Sequence, residues 1–261
     1  MTISDSEVQI TLIAETESTN ALALSAIDDG AAEGTAFVAD AQSAGRGRRE
    51  AGGRRRQWFS PAGKNLYLSV VVRPVIALEK SAALTLAVGA QVVELLRTST
   101  AVDVQLKWPN DLYVDGKKLG GILTEGVTGR EGLDAVVVGL GLNVNVADDE
   151  FPGELRPIAT SLCEQTGERH DRMSLALKIC QAIVEASTVY ADRGLAAFDE
   201  RLQKWDYLRG RAVEVDADSG SRSGVARGIG LGGGLKVEFE DGQVREMISG
   251  EVTLKKGMDQ T

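Results

Sequence analysis

"NLYLSVVVRPVIALEKSAALTLAVGAQVVELLR" (residues 65–97) holds the transition that decides the fold. Its first ten residues are strongly apolar, rich in β-branched side chains and stopped by Pro74, which reads as a buried strand. Residues 77–97 read as one long helix, apolar over much of its surface and therefore mostly buried. Strands are expected on both sides of it. Upstream lie "VQITLIAE" (8–15), the helix "NALALSAIDDG", which Ser18 or Thr19 can cap and Gly30 closes, and "TAFVADA" (35–41). Downstream, "VQLKWP" ends at Pro109, and "DLYVDGKKLGGILTEGV" reads as a hairpin about Asp115-Gly116. "LDAVVVGLGLNVNV" is nearly continuous apolar β, as expected of a central strand buried on both faces. Strict βαβ alternation is missing, so the expectation is an α+β fold: a mixed sheet flanked by helices.

Residues 147–160 read as an irregular connection with two prolines, and helices fill roughly 172–206. After Leu208 short strand-like runs appear, separated by glycine-rich turns such as "GLGGGL". That spacing predicts a small all-β barrel and divides the chain into 1–207 and 208–261.

Composition excludes several chemistries. The chain has 261 residues, a formal net charge of -9, and 43% hydrophobic and 26% charged residues. Such an acidic balance argues against a surface built for nucleic acid, so no DNA partner is expected. The N-terminal "MTISDSEVQITL" carries neither a basic nor an apolar leader segment, and no apolar run reaches spanning length. A cytoplasmic protein without membrane association is expected, with Cys163 and Cys180 as reduced thiols. The single histidine, His170, lies in the polar run "GERHDR", and one His with two scattered Cys makes no usual zinc site. No bound metal is expected from the protein's own ligands.

Against this background "AGRGRREAGGRRRQW" (44–58) concentrates six arginines within Arg46 to Arg56. Arginine forks fit phosphate bidentately, and glycines let backbone approach closely. Such a loop could close over a polyphosphate; it could also be a solvated charge run, or an Arg/Gly segment for RNA, although only Trp58 and Phe59 accompany it as stacking aromatics. "KWPND" (107–111) brings Lys107 and Asp111 to one strand end, suiting an anionic substrate, or forming an ordinary proline turn. In "KKLGGIL" (117–123), Lys118 precedes two glycines that let something approach an apolar strand. "STN" (18–20) and Gln42 offer neutral polar groups. "GLGLNVN" (139–145) looks like a nucleotide loop, but a lone G-x-G inside a strand pattern is a weak signal. Together these residues describe a neutral polar pocket beside several cations, fit for a nucleotide and a largely uncharged second ligand.

"ESTN", "AQSAGRGRR", "WFSPAGKNLYLSV", "KWPNDL", "KKLGGILTE" and "GLGLNVN" occur in the order seen in biotin–protein ligases, and the resemblance covers about residues 8 to 257. It implies a class II synthetase-like catalytic domain over 1–207 and a small SH3-like β-barrel over 208–261. It implies ATP and biotin as substrates, with Mg²⁺, and transfer of biotin from biotinyl-5′-AMP to a lysine of a biotin carboxyl carrier protein. It further implies that Ser18, Thr19, Asn20, Gln42, Gly45, Arg46, Gly47, Arg48, Lys118, Gly121 and Leu123 contact biotin. Arg48, Trp58, Lys107, Lys118 and Asn143 would hold ATP or the adenylate, with residues 147–160 on the adenine side. Arg46, Lys107, Lys118 and Asp111 would serve catalysis. Two departures stand out. Glu50 follows "GRGRR" where the family pattern has glycine, and "EAGGRRRQ" lengthens the loop, which is expected to be mobile without ligand. The first strand begins near Val8, so a ligase without an N-terminal DNA-binding domain or repressor activity is expected, as a monomer or homodimer. A lipoate ligase or octanoyltransferase is the nearest alternative, but an octanoyltransferase would need a nucleophilic Cys at these motifs.

Overall fold

The structure is a computed structural model that describes residues 2–4, 8–49, 55–130, 132–217, 220–248 and 250–255. In chain order its first half comprises β1 (Thr2–Ser4), β2 (Gln9–Thr16), α1 (Thr19–Asp28), β3 (Thr35–Gln42), β4 (Arg46–Arg49), β5 (Arg55–Gln57), β6 (Leu66–Val72) and α2 (Ser81–Thr100). There follow β7 (Gln105–Lys107), β8 (Asp111–Val114), β9 (Lys117–Gly129), β10 (Gly132–Leu142), α3 (Leu162–Thr166), α4 (Arg172–Arg193) and α5 (Asp199–Trp205). The C-terminal part holds β11 (Ala212–Ala217), β12 (Gly220–Ile229), β13 (Leu235–Phe239), β14 (Val244–Met247) and β15 (Glu251–Leu254).

Eight strands form one mixed sheet in the order β1-β2-β3-β6-β10-β9-β8-β7. Only β2 and β3 pair in parallel; the remaining neighbours are antiparallel. The apolar strand β6 and the long helix α2 follow one another as the opening stretch predicts, and the α+β class holds. β6 is buried along its whole length because it sits between β3 and β10 at mid-sheet. Alternation then assigns two faces. Leu66, Leu68 and Val70 of β6 and Val136, Val138, Leu140 and Leu142 of β10 enter the main core with residues of α2 and α4. Val71 and Val137 face the other way and pack under Ala23 and Ile27 of α1. The expected hairpin turn is present, with Asp115 and Gly116 both at positive φ (47° and 77°), as a two-residue hairpin turn of mirror-image type requires.

Two elements lie outside the sequence expectations: the edge strand β1 and the one-turn helix α3. The Arg/Gly segment is a hairpin rather than a bare loop. Arg46 pairs with Gln57 and Arg49 with Arg55. Its tip, with Glu50 and Arg54, lies outside the described residues, as do the side chains of Arg49, Arg55 and Arg56.

The C-terminal strands form a five-stranded antiparallel sheet, β14-β13-β12-β11-β15. The small all-β unit expected after Leu208 is this sheet, and among the described residues its outer strands β14 and β15 are not paired with each other. Residues after α5 run alongside β7, where Asp206 bridges Leu106 and the Tyr207 N–H donates to the Leu106 carbonyl at 2.9 Å. The buried Trp108 indole N–H donates to the Gly233 carbonyl at 2.9 Å, tying the small sheet to the large one. "GLGGGL" is a turn wrapped around Glu246: a Cβ on Gly230 or Gly234 would lie 2.4 Å from that side chain. Among the described residues no helix is long and apolar enough to cross a membrane.

Asp206 sits in this junction with little exposure, and burial pushes its carboxyl up to about 6 despite the hydrogen bond from the Leu208 N–H. A carboxyl raised on folding costs nothing while protonated in both states and opposes folding once ionised. Stability should therefore fall by up to about 3 kcal/mol as pH rises from about 4 to 6, and stay reduced above. Asp206→Asn, whose amide oxygen still accepts from Leu208, should remove this decline in urea denaturation series across that range. Parallel pH profiles for variant and wild type would contradict the assignment.

Candidate active site

The site is built on the α1 face of β10, where alternation places Val137, Gly139 and Gly141 in sequence. Antiparallel register aligns side chains across the strands into rows. One row runs Ser69–Gly139–Leu123 over β6, β10 and β9. The next runs Tyr67–Gly141–Gly121–Asp111–Lys107 and crosses to the far edge of the sheet. Two neighbouring rows thus carry glycine at their centres, and the sheet presents bare backbone there. Lys107 and Asp111 reach this floor because the "KWPND" turn, with a cis bond between Trp108 and Pro109, joins β7 to β8.

Both glycines are used by neighbours. A Cβ on Gly139 would lie 2.0 Å from the Asn20 amide oxygen, and one on Gly141 would lie 2.6 Å from the Trp58 ring. The Asn20 amide lies across its row. Its oxygen is 2.6 Å from the buried Ser69 hydroxyl, and its nitrogen donates to Glu125 at 2.8 Å and toward the Leu123 carbonyl at 3.4 Å. Ser69 also bonds the Thr19 hydroxyl at 2.8 Å. Ser18 is the N-cap residue of α1, yet its side chain makes no capping bond; the Gln42 side chain accepts the Thr19 N–H instead, at 2.8 Å. Gln42 in turn donates toward Ser60 at 3.4 Å, at the base of the arginine hairpin. Gly45 belongs to that base. A Cβ there would press on the Ser60 hydroxyl at 2.8 Å.

The other end of the floor is charged. Lys118 forms an ion pair with Asp111 at 2.7 Å and lies 5.3 Å from the centre of the Trp58 ring. The Trp58 indole N–H is buried with no acceptor among the described residues. Lys107 stands 4.8 Å from the Tyr113 ring centre and 3.4 Å from its hydroxyl. Arg48 reaches the Asn110 side-chain oxygen at 3.5 Å. Residues 147–160 close one side: Lys118 N–H donates to the Ile158 carbonyl at 2.7 Å, and Thr160 N–H returns to the Lys118 carbonyl at 3.0 Å.

These groups enclose a cavity of about 1210 Å³ between the two sheets. Of the residues singled out in the sequence, Ser18, Thr19, Asn20, Gln42, Arg46, Gly47, Arg48, Trp58, Lys107, Asp111, Lys118, Gly121 and Leu123 line it. Leu155 and Ile158 join them from the 147–160 segment, and Asp216, Glu246 and Thr253 from the small sheet. Gly45 and Asn143 are not on the wall. Asn143 is buried with its amide committed to Asn65 (3.0 Å) and to the Thr160 carbonyl (3.0 Å). These two bonds join the residue before β6 to the 147–160 segment, and the amide keeps one N–H and one lone pair beyond them. Sequence reasoning missed Ser69, Ser60, Asn110 and Glu125. Neither cysteine lines the cavity: Cys163 bonds Ser161, and Cys180 lies in the α4 core with its thiol pushed up to about 12 by burial. No cluster of three or more His, Cys, Asp or Glu suited to a metal occurs among the described residues.

Residues 12–143 match the model of the biotin/lipoate A/B protein ligase family. The chain is 33% identical over 227 residues to the bifunctional ligase/repressor BirA of Bacillus subtilis, covering 87% of this chain and 68% of that protein. It is 32% identical over 240 residues to a biotin–[acetyl-CoA-carboxylase] ligase of Mycobacterium tuberculosis, covering 90% and 76%. Among solved structures, the biotin protein ligase of Aquifex aeolicus in complex with biotin and ATP superposes with a TM-score of 0.78 at 31% identity, over 95% of this chain and 99% of that one.

The bare rows generate a stability test. Gly139→Ala drives its Cβ into Asn20 and breaks the bonds of that buried amide to Ser69 and Glu125, costing about 1–3 kcal/mol in denaturant unfolding. Gly153→Ala, where a Cβ meets nothing within 4 Å, should change stability by less than about 0.5 kcal/mol. Equal costs at the two positions would contradict the close approach at Gly139.

Proposed function

Because the chain belongs to the biotin/lipoate A/B protein ligase family, we propose that it is a biotin–protein ligase that makes biotinyl-5′-AMP and passes biotin to a lysine of a biotin carboxyl carrier protein. One observation carries this reading: a strand floor bare of side chains, with neutral hydrogen-bonding groups at one end and cations at the other. Asn20, Thr19, Ser18 and Gln42 suit a ring that both donates and accepts hydrogen bonds. Lys118, Lys107, Arg46 and Arg48 suit a carboxylate beside phosphates. Between them the backbone at Gly141 and Gly121 accepts a thin ligand, with Gly139 making room for the Asn20 amide beside it. Trp58 now lies against Gly141 and must lift or share that space when an adenylate forms.

The chemistry follows from this polarity. Biotin's carboxylate oxygen attacks the α-phosphorus of ATP, the bond to the bridging oxygen breaks, and pyrophosphate leaves. Carboxylate and triphosphate repel each other, so the cations supply the main stabilisation, and it grows as charge builds on the leaving group. Lys118 is poised for this, because the ligand's carboxyl can draw it from Asp111. Mg²⁺ enters with ATP as its complex, held chiefly by phosphate oxygens. In the second step a carrier lysine attacks the activated carbonyl, the carbon–oxygen bond to phosphate breaks, and AMP leaves. Asp111, released from Lys118, orients the incoming amine and accepts its proton. We divide the chain at 207/208, with the small sheet covering the cavity.

Biotin-dependent exchange of pyrophosphate into ATP tests the reading. Exchange should require biotin, and lipoate or octanoate should not replace it; exchange that prefers lipoate would move the chain to the other branch of its family. Lys118→Ala should lower adenylate formation by about 10²-fold or more with an unchanged melting profile. Near-normal exchange in that variant would remove Lys118 from the site.

A further inference from the structure

Glu125 stands one row beyond Gly139. Val137 pairs with both Val71 and Glu125, so Glu125 shares the face of the floor and of α1. It is outside the cavity wall, yet its carboxylate accepts from the Asn20 amide nitrogen at 2.8 Å. At the opposite end of the same amide, the oxygen meets the Ser69 hydroxyl at 2.6 Å. Asn20 is 5% exposed and Ser69 fully buried, so neither end can trade its partner for bulk water. An amide has two orientations of similar shape and opposite polarity. An ionised carboxylate only accepts, so Glu125 forces the NH₂ group toward itself and the oxygen toward Ser69.

Resting on the ligase reading, we propose that Glu125 is a positioning residue that sets the polarity of the Asn20 amide and thereby selects a ligand ring bearing N–H donors. The Asn20 oxygen keeps one lone pair beyond its bond to Ser69. Beside the Thr19 hydroxyl, that makes this end of the floor an acceptor for ring N–H groups of the cyclic-urea kind. A flipped amide would present NH₂ there and repel them. The pocket that holds the ring therefore depends on a charge the ring never touches.

Pyrophosphate exchange with biotin and ATP varied separately tests this. Glu125→Ala should raise KM for biotin by about tenfold or more while KM for ATP stays within about twofold. Glu125→Gln, whose side-chain oxygen can accept the same bond, should recover most of the loss. Glu125→Lys, which can only donate and so draws the amide oxygen toward itself, should show the same selective rise in biotin KM, and it carries the test if Glu125→Ala does not fold. In an Asn20→Ala background, Glu125→Ala should add nothing further, because both act through one amide. An unmoved biotin KM, a matching rise for ATP, or fully additive losses would overturn the assignment. Wild-type protein without biotin-dependent exchange would overturn the ligase reading itself, whereas wild-type exchange with an unaffected Glu125→Ala would defeat the Glu125 assignment alone.

Discussion

The structure depends on a constraint at the middle of its sheet: β10 has to hold its place while one face carries no side chains at 139 and 141. Glycine within a strand costs about 0.5–1 kcal/mol relative to alanine and contributes no packing. The opposite face offsets this, since Val136, Val138, Leu140 and Leu142 are buried in the main core against α2 and α4. β6 and β9 pair with β10 along both sides, so the bared rows belong to the best-supported strand of the sheet. The floor is rigid because its other surface is the core. Asn20, Trp58, Lys118 and Asp111 then take positions fixed by that surface.

The second sheet extends the same logic. Trp108, next to Lys107 in the "KWPND" turn, is held by the Gly233 carbonyl of the glycine-rich turn, which itself closes around Glu246. Asp206 and Tyr207 run beside β7, so the edge strand that delivers Lys107 is paired on its outer side. The C-terminal strands therefore brace the cationic end of the site as well as lining the cavity. An acidic protein concentrates its cations where the register of five strands and one hairpin brings them together.

Much of this was legible from residue type and spacing. β6 and α2 announce themselves by β-branched content and helical apolar coverage, and the Asp115-Gly116 turn by its chemistry. Lys107 and Lys118 stand out because proline and paired glycines interrupt apolar runs beside them. "GLGLNVN" was ambiguous for a physical reason: the use of its glycines lies across the strand, in Asn20 and Trp58, and only register reveals it. The same holds for Ser69 and Glu125. A serine inside an apolar strand and a glutamate on an alternating one carry no local signal, and their meaning comes from sharing rows with Gly139 and Val137. Asn143 stands out by its spacing, but its bonds to Asn65 and Thr160 depend on long-range placement in the same way. The arginine run read as a loop because its glycines hide the pairing of β4 with β5, which depends on long-range placement.

The central claim is that the bared backbone of β10 is the ligand floor. A crystal structure of the protein with biotin and an ATP analogue resistant to cleavage at the α-phosphate tests it most directly. The account predicts the ring beside the Asn20 and Thr19 side chains, the carboxyl beside Lys118 over the Gly141–Gly121 row, and Trp58 moved from its present seat. A ring bound elsewhere, with Trp58 still pressed on Gly141, would contradict it.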